Sequence, residues 1–253
     1  IEVKQILCLD DNYEFLARDG ESGATASIDT PEAGAINAAL AEKGWQLASI
    51  LNIHHHFDHI DGNEALEKQW DCQIVGAAKD AHWIPGIDQQ VADGDAMKSS
   101  EAQVHVLEVP GHTLAHIACD FEDDQTAFMG NTLFALGCGR RFEGSAERMW
   151  HNLEKSMKLP DNTAVYCAHQ YTQANAAFAI TVEPDNAALQ DRVQEMARLR
   201  AQGIPTVPSS IGLERKTHPF VRPTSSNSQA TVNLVGAKPL AIFAEMRKRE
   251  DHF

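Results

Sequence analysis

His54-His55-His56-Phe57-Asp58-His59 stands directly behind an apolar run over 47–53. The run reads as a buried strand, and residue types that ligate metals follow at its end. Side chains alternate along a strand, so His54 and His56 are expected on one side of it. Asp58 and His59 fall in the turn that opens the next segment and approach the same point from another direction. Neutral imidazoles with a carboxylate suit zinc, iron or manganese, and three or four converging ligands make an open catalytic site. This stretch is read as a metal centre.

Working outward, three later motifs repeat one design. Pro110-Gly111-His112-Thr113 follows a strand expected over 104–109, with a glycine to permit the tight turn. Gly130-Asn131-Thr132-Leu133-Phe134 follows a strand over 126–129, and Cys167-Ala168-His169-Gln170-Tyr171 follows one over 163–167. Each places a polar side chain just beyond a hydrophobic strand, where sheet architectures build their sites. A single histidine is more often structural than ligating; three such motifs behind the first cluster argue for convergence. His55 alternates away from its neighbours and is read as a supporting or core residue. His116 is read as a strand residue near the site, and His82, His105, His151, His218 and His252 have no converging partners in the sequence.

The first two-thirds of the chain alternate strands and helices. Short strands are expected over 5–9, 13–18 and 25–29, separated by Asp-Asn and Asp-Gly turns. A helix is expected over 32–43 after Pro31, another over 63–70 and a third over 147–159. Further strands are expected over 73–76 and 116–121. Beyond His169 strand alternation ends, and helices are expected over 174–180, 186–202 and 237–249. Pro205, Pro208, Pro219 and Pro223 mark an irregular segment between the last two. The chain is therefore read as an α/β domain over 1–170 followed by a mostly helical part over 171–253.

A net charge of −15 argues against nucleic acid as a partner, since phosphates would be repelled. An anionic substrate would need a local basic patch against that field. No run approaches the roughly 18 apolar residues needed to span a bilayer, and residues 1–9 are too short and too charged to read as a secretory signal. The 5 cysteines are odd in number and widely spaced, which points to reduced thiols and a cytoplasmic setting. A monomer is the default expectation.

At this point the chain resembles the metallo-β-lactamase fold and, within it, the glyoxalase II group, the hydroxyacylglutathione hydrolases. The residues that carry the resemblance are His-x-His-x-Asp-His at 54–59, Gly-His-Thr at 111–113 and the stretch Gly-Asn-Thr-Leu-Phe-Ala-Leu-Gly-Cys-Gly-Arg-Arg-Phe-Glu-Gly at 130–144. Ala-His-Gln-Tyr-Thr at 168–172 and Met-Arg-Lys-Arg-Glu-Asp-His-Phe at 246–253 complete it. The resemblance implies an αββα sandwich with a C-terminal helical, glutathione-binding domain. It implies two divalent metal ions, zinc foremost and iron or manganese as alternatives. His54, His56 and His112 would hold one ion, and Asp58, His59 and His169 the other. Asn131 stands where the family has a bridging Asp. The implied reaction is hydrolysis of S-D-lactoylglutathione to glutathione and D-lactate by a metal-bound hydroxide, a step in methylglyoxal detoxification, with Asp58 and His59 at the catalytic centre. Arg140, Phe142, Tyr171, Arg247, Lys248 and Arg249 are the implied substrate-binding residues, since a guanidinium gives bidentate recognition of a carboxylate.

Several positions depart from the family pattern. An amide at Asn131 offers one neutral oxygen where a carboxylate would screen two cations, so the second ion is expected to bind more weakly. Ile53, Ala115 and Gln170 replace Thr, Gly and Glu, Phe142 replaces a tyrosine, and Glu250 stands where a lysine is expected. These departures keep open a metal-impaired homologue that binds glutathione conjugates with little turnover. A persulfide dioxygenase on the same fold is disfavoured, because its carboxylate ligand would fall at Asn131. A β-lactamase is disfavoured too, since no secretion signal is read.

Overall fold

The computed structural model describes residues 1–99, 102–140 and 143–253. It divides into two compact units, unit 1 comprising Ile1–Val109 and Ala115–Phe128 and unit 2 comprising Pro110–Leu114 and Met129–Phe253.

Unit 1 begins with β1 (Glu2–Cys8), β2 (Asn12–Arg18), β3 (Ala24–Ile28), α1 (Ala33–Lys43) and β4 (Gln46–Asn52). The single-turn α2 (Phe57–Ile60), α3 (Asn63–Trp70), β5 (Gln73–Ala77) and β6 (Gln89–Val91) follow. Strands β1 to β6 form one sheet in chain order. It is antiparallel from β1 to β3 and parallel from β3 to β6. Parallel neighbours need crossovers, and α1 and α3 supply two of them. Antiparallel β7 (Ala96–Ser99), β8 (Ala102–Glu108), β9 (Ile117–Phe121) and the start of β10 (Thr126–Gly130) make a second sheet.

The helices cover one face of the first sheet: Ile36, Leu40 and Leu66 pack with Leu16, Leu47, Ile50 and Ile74. Leu47 and Ile50 are three residues apart yet share this face. A register shift opposite Thr25 and Ala26 explains it, because Thr25 pairs with Leu47 and Ala26 with Ser49, leaving Ala48 as an inserted residue. Such a bulge turns the following side chains over. On the sheet's other face Phe15 meets Phe128 of β10 at 5.4 Å, and Phe121 meets Phe128 edge-on at 5.7 Å. Unit 1 is thus a helix layer and two sheets.

Unit 2 contains β11 (Leu133–Phe134), β12 (Gly137–Cys138), α4 (Ala146–Ser156), β13 (Ala164–Cys167), α5 (Thr172–Val182) and α6 (Ala187–Ala201). Then come β14 (Ser209–Ser210), α7 (Ile211–Thr217), α8 (Ser226–Thr231) and α9 (Pro239–Glu250). Strands β13 and β14 pair antiparallel, and the Ala168 N–H donates to the Gly130 carbonyl. The proline-marked segment is more regular than expected. Helix α7 starts where the Ser210 hydroxyl accepts the Leu213 N–H, and α8 starts where Ser225 accepts that of Ser228. A buried ion pair at 2.5 Å joins Arg192 of α6 to Glu214 of α7. Burial pushes the Glu214 carboxyl up, yet Arg192 outweighs it and holds the group below its usual range. Among the described residues no helix is long and apolar enough to cross a membrane.

The Phe15–Phe128–Phe121 contact yields a direct expectation for stability. Phe128→Ala should lower the unfolding free energy by about 3–5 kcal/mol, since a cavity replaces a fully buried ring, as read by chemical denaturation at pH 7.

Candidate metal centre and cavity

In unit 1 the strand stops earlier than the sequence suggests. β4 ends at Asn52, so His54 and His56 lie in the loop before α2 and are not brought together by strand alternation. Their rings nevertheless meet edge-on at 4.7 Å, and the His54 and His59 rings are 3.9 Å apart. His116, just ahead of β9, stacks on His54 at 4.9 Å. His55 turns away as expected: its Nδ1 lies 2.9 Å from Asp80 Oδ2, and its ring stacks with Trp83.

A buried polar scaffold holds α2 in place. The His59 carbonyl accepts the Thr30 N–H at 2.8 Å and the Asn52 amide at 3.1 Å. Asn63 donates to Asn52 Oδ1 and accepts the Thr30 hydroxyl, closing the circuit. Asp29 sits at its centre in a left-handed conformation (φ 66°) that Asp tolerates better than most residues. One Asp29 oxygen accepts the Ile53 N–H at 2.9 Å, and the other lies 2.6 Å from His59 Nδ1. Burial pushes the Asp29 carboxyl up, and the neighbouring His59 opposes that shift. With Nδ1 bound to a carboxylate, the ring presents its Nε2 lone pair, the arrangement in which histidines ligate metals.

Asp29, His54 and His59 each place a candidate ligand atom within 4.8 Å of the others. Both Asp29 oxygens are engaged, which suits Asp29 to orienting a ligand and leaves His54, His56, Asp58 and His59 as the candidate donors. Asp58 Oδ2 lies 3.5 Å from His59 Nε2, a separation suited to two ligands sharing an ion at roughly 2.1 Å. Asn12 donates to that same oxygen at 3.0 Å and to the Asp58 carbonyl. Imidazoles and a carboxylate held this way fit a divalent metal ion.

Unit 2 carries the other expected ligands. His112 Nδ1 lies 2.9 Å from the Arg140 carbonyl, which only accepts, so Nδ1 bears the proton and Nε2 the lone pair. Asn131 Nδ2 is 3.0 Å from that Nε2, and the tautomer requires the amide N–H to donate to it. The side chain at 131 therefore caps the nitrogen a metal would use. Gly139 makes this approach possible, since a Cβ there would overlap the Asn131 carbonyl oxygen. Gly144 is likewise pressed against the backbone of Gly111. Gly139 and Gly144 are thus packing requirements around His112, whereas Gly137 is pressed against the Asn175 side chain.

His169 stacks face to face on Tyr171, with ring centroids 4.9 Å apart and planes 1° from parallel. Tyr171 and Phe134 meet at 5.4 Å and wall a cavity of about 220 Å³ within unit 2. Cys138, Arg140, Arg247, Glu250 and Phe253 also line it. Of the expected substrate-binding residues, the cavity gathers Arg140, Tyr171 and Arg247. Arg140 is mostly exposed, whereas Arg247 is buried and its guanidinium is committed: it donates to the Cys138 carbonyl at 2.8 Å and pairs with Asp251 at 2.9 Å and with Glu250. Lys248 and Arg249 are not among the lining residues. Lys248 faces solvent, and Arg249 donates to the carbonyls of Thr231 and Val232 at the end of α8. Phe142 lies outside the described residues.

Sequence reasoning passed over Asp29, Asn12 and Phe253. The signal for Asp29 was a charged residue at the end of an apolar strand, and Phe253 closed the 246–253 stretch without being given a role; Asn12 gave none.

Consecutive parts of the chain match two sequence families. Residues 22–169 match the metallo-β-lactamase superfamily, and residues 170–253 match the hydroxyacylglutathione hydrolase C-terminus. A protein called hydroxyacylglutathione hydrolase from Methylococcus capsulatus is 50% identical over 253 residues, covering 100% of this chain and 99% of that protein. One of the same name from Rhizobium johnstonii is 46% identical, again over 100% of this chain and 99% of its own length. Among solved structures, ETHE1 from Myxococcus xanthus aligns with a TM-score of 0.68 at 23% identity, covering 99% of this chain and 98% of its own. TTHA1623, solved in a di-iron-bound form, aligns at 0.63 with 20% identity, covering 87% of this chain and 100% of its own. The two-sheet architecture with its helical C-terminal region is therefore the metallo-β-lactamase fold. Within that superfamily the chain belongs to the hydroxyacylglutathione hydrolases, the glyoxalase II family.

Two outcomes are expected from this geometry. Asp29→Asn should weaken divalent-metal binding about 10–100-fold, as orienting partners of ligating histidines do, measured by competition with a chromogenic chelator. Glu250 gives a pH effect. Burial pushes its carboxyl from the ordinary 4.5 up to about 7, with Arg247 opposing and Asp251 adding to the rise. The folded state therefore holds this proton more tightly than the unfolded one. The resulting stability is complete below pH 4.5 and is lost as pH rises through 7. Glu250→Gln should thus gain on the native protein by up to about 3 kcal/mol between pH 5 and pH 8, read by denaturation at both values.

Proposed function

We propose that the chain is a metal-dependent thioester hydrolase that converts S-2-hydroxyacylglutathione, chiefly S-D-lactoylglutathione, to glutathione and the free hydroxy acid. One observation carries the reading. A loop of metal-type donors, oriented by the buried Asp29, stands in a chain similar along its whole length to proteins called hydroxyacylglutathione hydrolase. The reaction breaks the acyl C–S bond; the acyl carbon takes the oxygen of water, and the departing sulfur ends protonated as glutathione.

The ligand sets are those the family resemblance assigns: His54, His56 and His112 for one divalent ion, Asp58, His59 and His169 for the other. Zinc is the proposed metal, and iron or manganese suits the same donors. When bound, such ions lower the pKa of water to about 7 and stabilise the charge that develops on a carbonyl oxygen. The chain's own groups do the rest. Asn12 fixes Asp58, which orients the attacking water. The Phe134–Tyr171–His169 stack shields the reacting carbonyl from bulk solvent, and Arg140 offers a cation at the cavity to the glutathione carrier. The five cysteines are free and buried, in keeping with a cytoplasmic setting.

The Asn131–His112 hydrogen bond favours a second reading, a homologue whose turnover is limited by metal occupancy. A metal at His112 would have to displace that amide. Asn131→Asp should therefore bind its second equivalent of zinc at least about tenfold more tightly and hydrolyse S-D-lactoylglutathione faster. Metal content and thioester hydrolysis, followed side by side for both proteins after reconstitution, check this. Failure of both to cleave the thioester would overturn the assignment.

A further inference from the structure

Among the described residues that line the cavity, Glu250 has two buried carboxylate oxygens that accept no hydrogen bond. Its side chain is nine-tenths buried and lines the cavity. Both carboxylate oxygens are buried without a hydrogen bond from any described residue; Arg247 Nη1 touches one of them as an ion pair only. Buried acceptors without donors are costly, and here they face space that a ligand can enter.

The surrounding charge sharpens the point. Arg247 is shared among Glu250, Asp251 and the Cys138 carbonyl. Arg140 Nε lies 3.9 Å from Asp251 Oδ1. Two guanidinium groups thus face two carboxylates, and this end of the cavity carries no surplus positive charge. An incoming carboxylate would compete with acceptors already in place, whereas an N–H would meet a carboxylate that accepts no hydrogen bond from a described residue and has only the Arg247 ion pair on one oxygen.

We infer that Glu250 is a specificity-determining residue: it accepts a hydrogen bond from an N–H of the thiol carrier, so that a carrier ending in an amide is held more tightly than one ending in a free carboxylate. This rests on the reading that the cavity takes a glutathione-type carrier.

The test is calorimetric titration of the metal-reconstituted full chain at pH 8 with S-hexylglutathione and with its C-terminal amide, neither of which is turned over. The native protein should favour the amide by about tenfold, the value of one hydrogen bond to a charged group. Glu250→Lys should reverse the preference, and Glu250→Gln, a near-isosteric change that spares the fold, should reduce it to less than about threefold. Equal affinity for the two ligands, or preference of the native protein for the carboxylate, overturns the inference and leaves the thioesterase reading standing. Binding of neither ligand by any of the three proteins overturns both.

Discussion

Asp29 joins two pieces of chain that would otherwise be free to drift. One oxygen takes the N–H of Ile53, just before the first ligand histidine, and the other takes the ring of His59, at the far side of the same loop. The loop between them can then adopt few shapes. Around it Thr30, Asn52 and Asn63 satisfy one another and the His59 carbonyl, so that a polar cluster stays buried with its hydrogen bonds made. Such networks rigidify when complete and fail when partly satisfied. The metal-type donors of unit 1 depend on this scaffold more than on the strand that leads to them.

Much of the chain was legible because its periodicity was strong. The helix expected over 63–70 is α3 as observed, and the strands expected over 13–18 and 73–76 are β2 and β5 within a residue or so. The bulge in β4 was not legible, since an inserted residue leaves no mark in an apolar run. Strands β6 and β7 are short and polar, and they are held by pairing with neighbours that a local reading cannot see. Helices α7 and α8 were hidden by prolines around them, although Ser210 and Ser225 were there to be read as caps. At the site the ligand types were visible as residues, whereas their orienting partners, Asp29 and Asn12, lie 30 and 46 positions away from the groups they hold.

The C-terminal basic cluster illustrates the difference between composition and availability. Arg247, Lys248 and Arg249 read as a patch for an anion. Folded, Arg247 neutralises carboxylates of its own helix end, Arg249 terminates a neighbouring helix, and Lys248 faces water. Guanidinium groups are well suited to such buried multidentate roles. The more exposed Arg140, which also lines the cavity, belongs instead to the glycine-rich stretch that shapes the surroundings of His112.

That double duty of Arg140 couples two equilibria. Its side chain lines the cavity while its carbonyl fixes the tautomer and tilt of His112. On the proposed reading, a carrier that drew on the Arg140 backbone would change how His112 presents its lone pair. Thermodynamic reciprocity then requires the converse: whatever factor a bound carrier applies to the affinity for metal, the metal applies to the affinity for carrier. On the proposed reading, in which His112 holds an ion and Arg140 meets the carrier, cofactor retention would then rise or fall with the supply of substrate.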